Sequence, residues 1–139
     1  MKRNGAAIMW VGIFVLSLTS VSFFVTRIHA QLEARSEQGI SYLSGGIGLD
    51  ERDALRSRAT EYDLMLSFAE KTGKYLSDVE VVITDAQGNR VLEAVSEGPW
   101  FFVKLPTGRY TVRATTMGKT TQQVANVSVT RQTQLYFYW

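Results

Sequence analysis

The chain of 139 residues contains no cysteine, two prolines and a single histidine, His29. Without cysteine there is no disulfide framework and no thiol chemistry. If the first 30 residues are removed on export, as argued below, the rest of the chain has no imidazole. This excludes histidine-based zinc sites, Ser-His and Cys-His nucleophile pairs, and acid–base catalysis by histidine.

A concentrated basic charge is also missing. The whole chain has 15 Lys+Arg against 13 Asp+Glu, a formal net charge of +2. Three of the basic residues, Lys2, Arg3 and Arg27, lie before residue 31, so the remainder carries 12 basic against 13 acidic residues. A nucleic-acid-binding domain concentrates positive charge on one face. We therefore expect no nucleic-acid partner.

The first 30 residues have the features of a targeting segment. Lys2 and Arg3 precede an uncharged, largely apolar run over residues 5–26, and Ala30 stands directly before a polar stretch. This pattern predicts an export signal cleaved between Ala30 and Gln31. The run also has the length of one membrane-spanning helix, about 20 residues. The chain is thus expected to be exported, either periplasmic or secreted, with membrane contact only if this segment stays uncleaved as an inner-membrane anchor.

The remainder is expected to comprise a tether, a short helix and a β-rich domain. Residues 31–48 are polar with scattered serine and glycine, which is typical of a tether. Asp50 is a suitable N-cap, and apolar residues at helical spacing after it predict a short helix within residues 49–61. From residue 62 the apolar period changes to two, the period of a strand with one buried face.

Seven short alternating runs occupy residues 62–139, separated by turn sequences such as Thr72-Gly73 and Met117-Gly118. Regular short strands between turn signals predict an all-β fold, an antiparallel seven-stranded sandwich of the immunoglobulin-like kind.

The last run places four aromatic residues at the C-terminus, where chain ends are usually polar and frayed. In a strand, successive side chains point to opposite faces. We expect one set to fill the core, namely Leu135, Phe137 and Trp139. We expect the other set, Tyr136 and Tyr138, to form a surface together with Trp100 and Phe102, and this is the candidate binding surface.

Three motifs follow one another within residues 78–118. A strand leads into Asp85-Ala-Gln-Gly88, Gly98 precedes an aromatic strand, and Leu105-Pro106-Thr107-Gly108-Arg109-Tyr110-Thr111-Val112-Arg113-Ala114 completes the set. This order resembles the carboxypeptidase regulatory-like domain, a transthyretin-like β-sandwich, and the lead-in resembles small secreted proteobacterial proteins that carry it. Pro106 and Gly108 would build a turn, and Tyr110 and Val112 would point inward from the next strand.

Catalysis and metal binding are not expected. The enzymes that share this fold, the transthyretin-like 5-hydroxyisourate hydrolases, rely on histidines and a C-terminal Tyr-Arg-Gly-Ser, whereas this chain ends in Tyr-Phe-Tyr-Trp. The segment Asp85–Asn89 has the alternating oxygen side chains of a calcium loop. The bidentate glutamate that such a loop needs is absent, since its place is taken by Ser96. We expect a non-enzymatic domain without metal or cofactor.

Two functions of different class remain open. The first is an exported, non-catalytic interaction module of the cell envelope that binds a protein by a sheet face or by strand addition at an exposed edge. The second is a carbohydrate- or peptidoglycan-binding module that uses Trp100, Tyr136 and Tyr138 as a stacking platform. A flat exposed edge strand would favour the first, and coplanar exposed aromatic rings would favour the second.

Overall fold

The computed structural model describes residues 32–139, so the predicted leader (residues 1–30) and its cleavage site between Ala30 and Gln31 lie outside the described residues. Within that range the chain forms two sheets and one short α-helix, which confirms a mostly β fold. The elements are β1 (Arg35–Glu37), β2 (Ile40–Gly45), α1 (Leu49–Arg58) followed by a 3-10 turn (Ala59–Glu61), β3 (Leu64–Ala69), β4 (Val79–Thr84), β5 (Arg90–Ser96), β6 (Trp100–Val103), β7 (Gly108–Thr116), β8 (Lys119–Val127) and β9 (Thr133–Tyr138).

Sheet A has five strands in the order β1-β2-β6-β3-β9. β6 lies antiparallel to both β2 and β3. β9 instead runs parallel to β3, with Leu66 opposite Leu135 and Phe68 opposite Phe137. Sheet A is therefore mixed rather than purely antiparallel, because the chain enters β3 and β9 at the same end of the sheet.

Sheet B has four antiparallel strands in the order β5-β4-β7-β8. The long β7–β8 hairpin turns through Met117 and Gly118, which both have positive φ, 49° and 71°. A two-residue turn of this kind matches the twist of the strands that it joins.

The two sheets share one core. In β4, the alternate residues Val79, Val81 and Ile83 are completely buried, which is the period of two expected for a strand with one buried face. Sheet A contributes Phe68 and Phe101 to the same cluster. Removing such side chains from water stabilises the fold by about 1.5–3 kcal/mol each.

The structure has nine strands, not seven. The predicted runs correspond to β3–β9, and the two additional strands, β1 and β2, lie where the sequence predicts a tether. Tyr42 of β2 is buried in the core between the sheets, whereas its neighbour Leu43 is buried on the other face of sheet A. Because both faces of β2 are covered, its sequence lacks the apolar–polar alternation from which a strand is predicted.

Helix α1 lies in the predicted segment but begins differently. Its N-cap is Gly48, and Asp50 is already inside the first turn. The Glu51 carboxylate accepts a hydrogen bond from the backbone N–H of Ile47 at 3.0 Å. This bond reaches back from the helix to the chain that precedes it, in the manner of the glutamate in a capping box.

The aromatic C-terminus is held by the core. Phe137 is completely buried, and its ring centroid lies 5.8 Å from that of Phe68 and 6.2 Å from that of Trp139. The Trp139 indole N–H donates to the backbone oxygen of Lys119 at 3.2 Å. The chain end is thus a packed strand, because three aromatic rings lie against one another between the sheets.

Candidate functional site

The outer face of sheet A, which points away from sheet B, is half covered by helix α1. The helix lies over β2 and β6, and its Leu55 is completely buried there. A second, smaller core results, and its buried members are Leu43, Leu55, Tyr62, Trp100 and Phe102. The second core also takes in Met65 of β3, so the exposed part of this face lies at β9, where Tyr136 and Tyr138 are about half exposed.

Two of the four residues predicted to form the binding surface are not exposed. Trp100 and Phe102 have exposed fractions of 9% and 2%, against 49% for Tyr136 and 54% for Tyr138. The expectation that Trp100 and Phe102 lie on the surface is therefore wrong. Strand alternation predicts the face to which a side chain points, but a helix packed on that face removes it from solvent.

Beside the β9 tyrosines, the outward side chains of β3 are small, and one of them, Ala69, is buried with an exposed fraction of 6%. On β3, Ser67 alternates with the buried Leu66 and Phe68, so it points outward. In the register of the sheet, Ser67 is paired with Trp100 on β6 and with Tyr136 on β9. A small residue thus separates two aromatic residues across three neighbouring strands.

The same arrangement is repeated one step along β3. Ala69 is bridged to Tyr75 on one side and paired with Tyr138 of β9 on the other. Neighbouring strands lie about 4.8 Å apart, so the backbones that carry the two tyrosines are separated by roughly 10 Å. We call this set the aromatic groove: Ser67, Ala69, Tyr75, Trp100, Tyr136 and Tyr138.

Hydrogen bonds fix the outer wall of the aromatic groove. The Tyr136 hydroxyl donates to the side-chain oxygen of Gln134 at 2.9 Å. The Gln123 side-chain amide on β8 donates to the backbone oxygen of Tyr136 at 2.7 Å. Ligand binding to an oriented ring costs less side-chain entropy than binding to a mobile one.

Two arginines of α1 approach the inner wall. The Arg52 guanidinium lies 4.8 Å from the ring centroid of Tyr75 and 5.8 Å from that of Trp100. The Arg56 guanidinium lies 5.2 Å from the Trp100 ring and forms an exposed ion pair with Asp53 at 3.0 Å. Cations at these distances are attracted by the ring electrons, so the arginines help to hold Tyr75 and Trp100 in place.

A small cavity of about 190 Å³ adjoins the aromatic groove. It is lined by Ile47, Arg52, Tyr75, Leu76, Ser77 and Pro99. Tyr75 belongs to both the cavity and the groove, and Arg52 is the one charged residue in the lining. The site therefore combines aromatic rings, two small residues of β3 and two arginines of α1, of which Arg52 lines the cavity.

Neither Arg52 nor Tyr75 stands out in the sequence as a candidate site residue. Arg52 lies in a helix whose surface is rich in charge, and Tyr75 follows the turn at Thr72-Gly73, outside any alternating run. Only the isolated bridge between Ala69 and Tyr75 brings Tyr75 to the face of sheet A. The outward small residues of β3, Ser67 and Ala69, are the signal in the sequence that would have pointed to a groove.

The edges of the two sheets meet beside the aromatic groove. Side chains of β9 donate to backbone oxygens of β8, from Thr133 to Asn126 at 2.8 Å and from Trp139 to Lys119 at 3.2 Å. Gln123 donates in the opposite direction, from β8 to β9. These bonds occupy backbone groups that an added strand would need.

The residues of the suspected calcium loop form a hairpin turn. The Asp85 carboxylate accepts hydrogen bonds from the backbone N–H groups of Asn89 at 2.8 Å and Gln87 at 3.0 Å. These bonds, chiefly that from Asn89, lower the pKa of the Asp85 carboxyl below its ordinary value. Within residues 32–139 there is no group of three or more acidic or histidine side chains placed to hold a metal ion.

The resemblance motif forms a closed turn. The Tyr110 hydroxyl donates to the backbone oxygen of Pro106 at 2.8 Å, and burial raises the pKa of that hydroxyl. Gly108 begins β7, and Val112 further along the strand is completely buried. These residues form the turn between β6 and β7 and contribute Tyr110 and Val112 to the core.

Comparison with protein-family models and with curated protein sequences finds no match for this chain. Among residues 32–139 there is also no helix with the length and apolarity needed to cross a bilayer. The fold and the geometry of the aromatic groove therefore carry the functional argument.

Proposed function

We propose that this chain is an exported, non-catalytic β-sandwich module that binds a glycan of the cell envelope in the aromatic groove. The observation that carries the proposal is the placement of Tyr75 and Tyr138 on either side of Ala69. Both tyrosines are about half exposed, so each ring packs against the protein on one side and can contact a ligand on the other. Aromatic rings on a preformed surface, with a few polar groups beside them, are the usual elements of a small-ligand site.

The width of the aromatic groove supports a ring-shaped ligand. Rings stack at centroid distances of about 4.5–7 Å, so a backbone separation near 10 Å leaves room for one flat ring between two tyrosines. Sugar rings carry C–H groups on their faces and hydroxyls on their edges. Such a ring would contact Tyr75 and Tyr138 by its faces, while the Ser67 hydroxyl belongs to the same groove.

A protein partner bound by strand addition is the less favoured function. The β8 and β9 edges engage each other through side-chain hydrogen bonds, and at the opposite side Arg35 of β1 pairs with Glu97 after β5 at 2.6 Å. Charged residues and short edge strands oppose the addition of another strand. The experiment below also distinguishes a protein that docks on the aromatic groove from a glycan that binds there.

The proposal also includes the fold family of the domain. We take β3–β9 as the seven strands of a transthyretin-like arrangement, and the Tyr110–Pro106 hydrogen bond supports the resemblance to carboxypeptidase regulatory-like domains. We take β1 and β2 as an N-terminal addition that supports helix α1. Export through the N-terminal segment would bring such a module to the envelope glycans.

Binding of the purified protein to insoluble peptidoglycan and to a panel of soluble polysaccharides tests the proposal. We expect Tyr138→Ala and Tyr136→Ala each to weaken binding about tenfold, which corresponds to about 1.4 kcal/mol, because each removes a stacking surface. The matched control is Val95→Ala, since Val95 is 48% exposed on the outer face of sheet B. Equal affinity of the tyrosine variants and the control would contradict the proposal. Capture of one envelope protein that depends on Tyr138, without any glycan binding, would replace the glycan with a protein.

A further inference from the structure

We propose that the ligand of the aromatic groove is an acidic glycan, and that Arg52 binds its carboxylate in the adjoining cavity. This inference rests on the proposed function and specifies the class of ligand. The cavity of about 190 Å³ is smaller than the pockets of roughly 300–1,000 Å³ that hold whole ligands. It has room for one substituent of a larger molecule that lies in the groove.

Arg52 differs from the other described arginines in lining the cavity, and it shares with Arg109, Arg113 and Arg131 the lack of an ion pair with a carboxylate of the described residues. Among the described residues 32–139, four arginines form ion pairs with carboxylates, and these are Arg35, Arg56, Arg58 and Arg90. Arg52 is not in that set, although Glu51 lies next to it in the chain. The Glu51 carboxylate is engaged by the backbone N–H of Ile47 instead. The half-buried guanidinium of Arg52 thus lines a cavity without a carboxylate partner from the described chain.

The contacts of Arg52 leave one side of its guanidinium for a ligand. Its Nε donates to the backbone oxygen of Gly46 at 2.6 Å. The rings of Tyr75 and Trp100 lie near the guanidinium at 4.8 and 5.8 Å. The two terminal amino groups remain as donors, and a pair of parallel N–H groups matches the two oxygens of a carboxylate. The bond to Gly46 and the two rings hold these donors in place before a ligand arrives.

The rest of the cavity favours an acidic sugar. Ile47, Leu76 and Pro99 provide an apolar lining, which is open to solvent on one side because Ile47 is 68% exposed. Tyr75 joins the cavity to the aromatic groove, so a sugar ring stacked on Tyr75 places its carboxyl substituent next to Arg52. A neutral sugar would gain the stacking but not the charge-assisted hydrogen bonds.

The test uses polysaccharides in matched pairs, polygalacturonate and its methyl ester among them, because esterification removes the charge and keeps the backbone. Titration calorimetry of the purified protein should show at least tenfold tighter binding of the acid form. Arg52→Gln should remove this preference, so that the acid form and the ester bind equally. Arg113→Gln, which removes an exposed arginine from the outer face of sheet B, is the matched control and should keep the preference.

A second variant guards against misfolding of Arg52→Gln, which also loses the bond to Gly46. Ser77→Glu places a carboxylate in the cavity lining without altering Arg52, and should weaken binding of the acid form by at least tenfold. Equal binding of acid and ester forms by the wild-type protein would overturn this inference and leave the proposed function standing. Failure to bind any member of the pairs would overturn this inference, and failure to bind peptidoglycan and the polysaccharide panel as well would overturn both. Binding of peptides through their C-terminal carboxylate, with loss in Arg52→Gln, would overturn the glycan class.

Discussion

Replacement of Phe137 by alanine tests whether the C-terminal strand is part of the core. Phe137 is completely buried on β9, and its ring packs against Phe68 of the adjacent parallel strand and against Trp139. Its neighbour Tyr138 points to the other face of sheet A and is 54% exposed. The two positions are adjacent in the same strand, so they differ mainly in the face of sheet A to which they point.

The expected cost follows from this packing. Truncation of a buried phenylalanine to alanine costs about 3–5 kcal/mol, through lost burial and the cavity that remains. Two aromatic contacts add to the burial of the ring, each by about 0.5–1.5 kcal/mol. We therefore expect Phe137→Ala to lower the free energy of unfolding by about 4 kcal/mol. A domain of this size has a total of about 5–15 kcal/mol, so the variant should fold marginally or not at all.

Urea unfolding, followed by tryptophan fluorescence and by circular dichroism, measures this difference. Tyr138→Ala should lower the unfolding free energy by about 1 kcal/mol or less, as is usual for an exposed position. A shift in the midpoint at constant slope would assign the effect to stability. Equal midpoints for Phe137→Ala and Tyr138→Ala would refute the assignment of β9 to the core.

Two other substitutions test close packing and a buried hydroxyl. A Cβ at Gly98 would lie 2.7 Å from the Cα of Gly45, so Gly98→Ala should cost about 3 kcal/mol or more in urea unfolding. Gly108→Ala makes only ordinary contacts in a strand, where alanine is more stable than glycine, so it should leave the free energy of unfolding unchanged or raise it by up to about 1 kcal/mol. Equal costs for the two variants would contradict the close approach. Tyr110→Phe loses the hydrogen bond to Pro106 and should cost about 1 kcal/mol at neutral pH. Burial raises the pKa of the Tyr110 hydroxyl above its ordinary value of 10.0. The stabilisation by Tyr110 is therefore complete below pH 10 and is lost as the pH rises through the folded-state pKa. A difference in unfolding free energy between Tyr110→Phe and wild type that stays constant up to about pH 12 would contradict this.

The strands that have one buried and one exposed face could be predicted from the sequence alone. In β4 and β9, apolar residues alternate with polar or half-exposed ones, because each strand packs on one side only. The period of two therefore fixes which side chains point inward, Phe137 among them. Turn residues also act locally, as the positive φ of Gly118 in the β7–β8 hairpin illustrates.

Strands that are covered on both faces could not be predicted from alternation. β2 has the core between the sheets on one face and helix α1 on the other, so its residues show no alternation, and a tether is the natural prediction for so polar a segment. The parallel pairing of β9 with β3 joins segments about 70 residues apart. The local sequence pattern does not indicate which strands pair, because the pairing of distant strands depends on the packing of the whole chain.

The aromatic groove is decided almost entirely by the tertiary structure. The sequence by itself determines that Tyr136 and Tyr138 share a face of their strand. The covering of Trp100 and Phe102, the arrival of Tyr75 beside Ala69, and the position of Arg52 over two rings depend on where helix α1 and the segment after β3 pack. Alternation is a property of one strand, whereas a groove requires neighbours from several elements, and those neighbours are brought together only by folding.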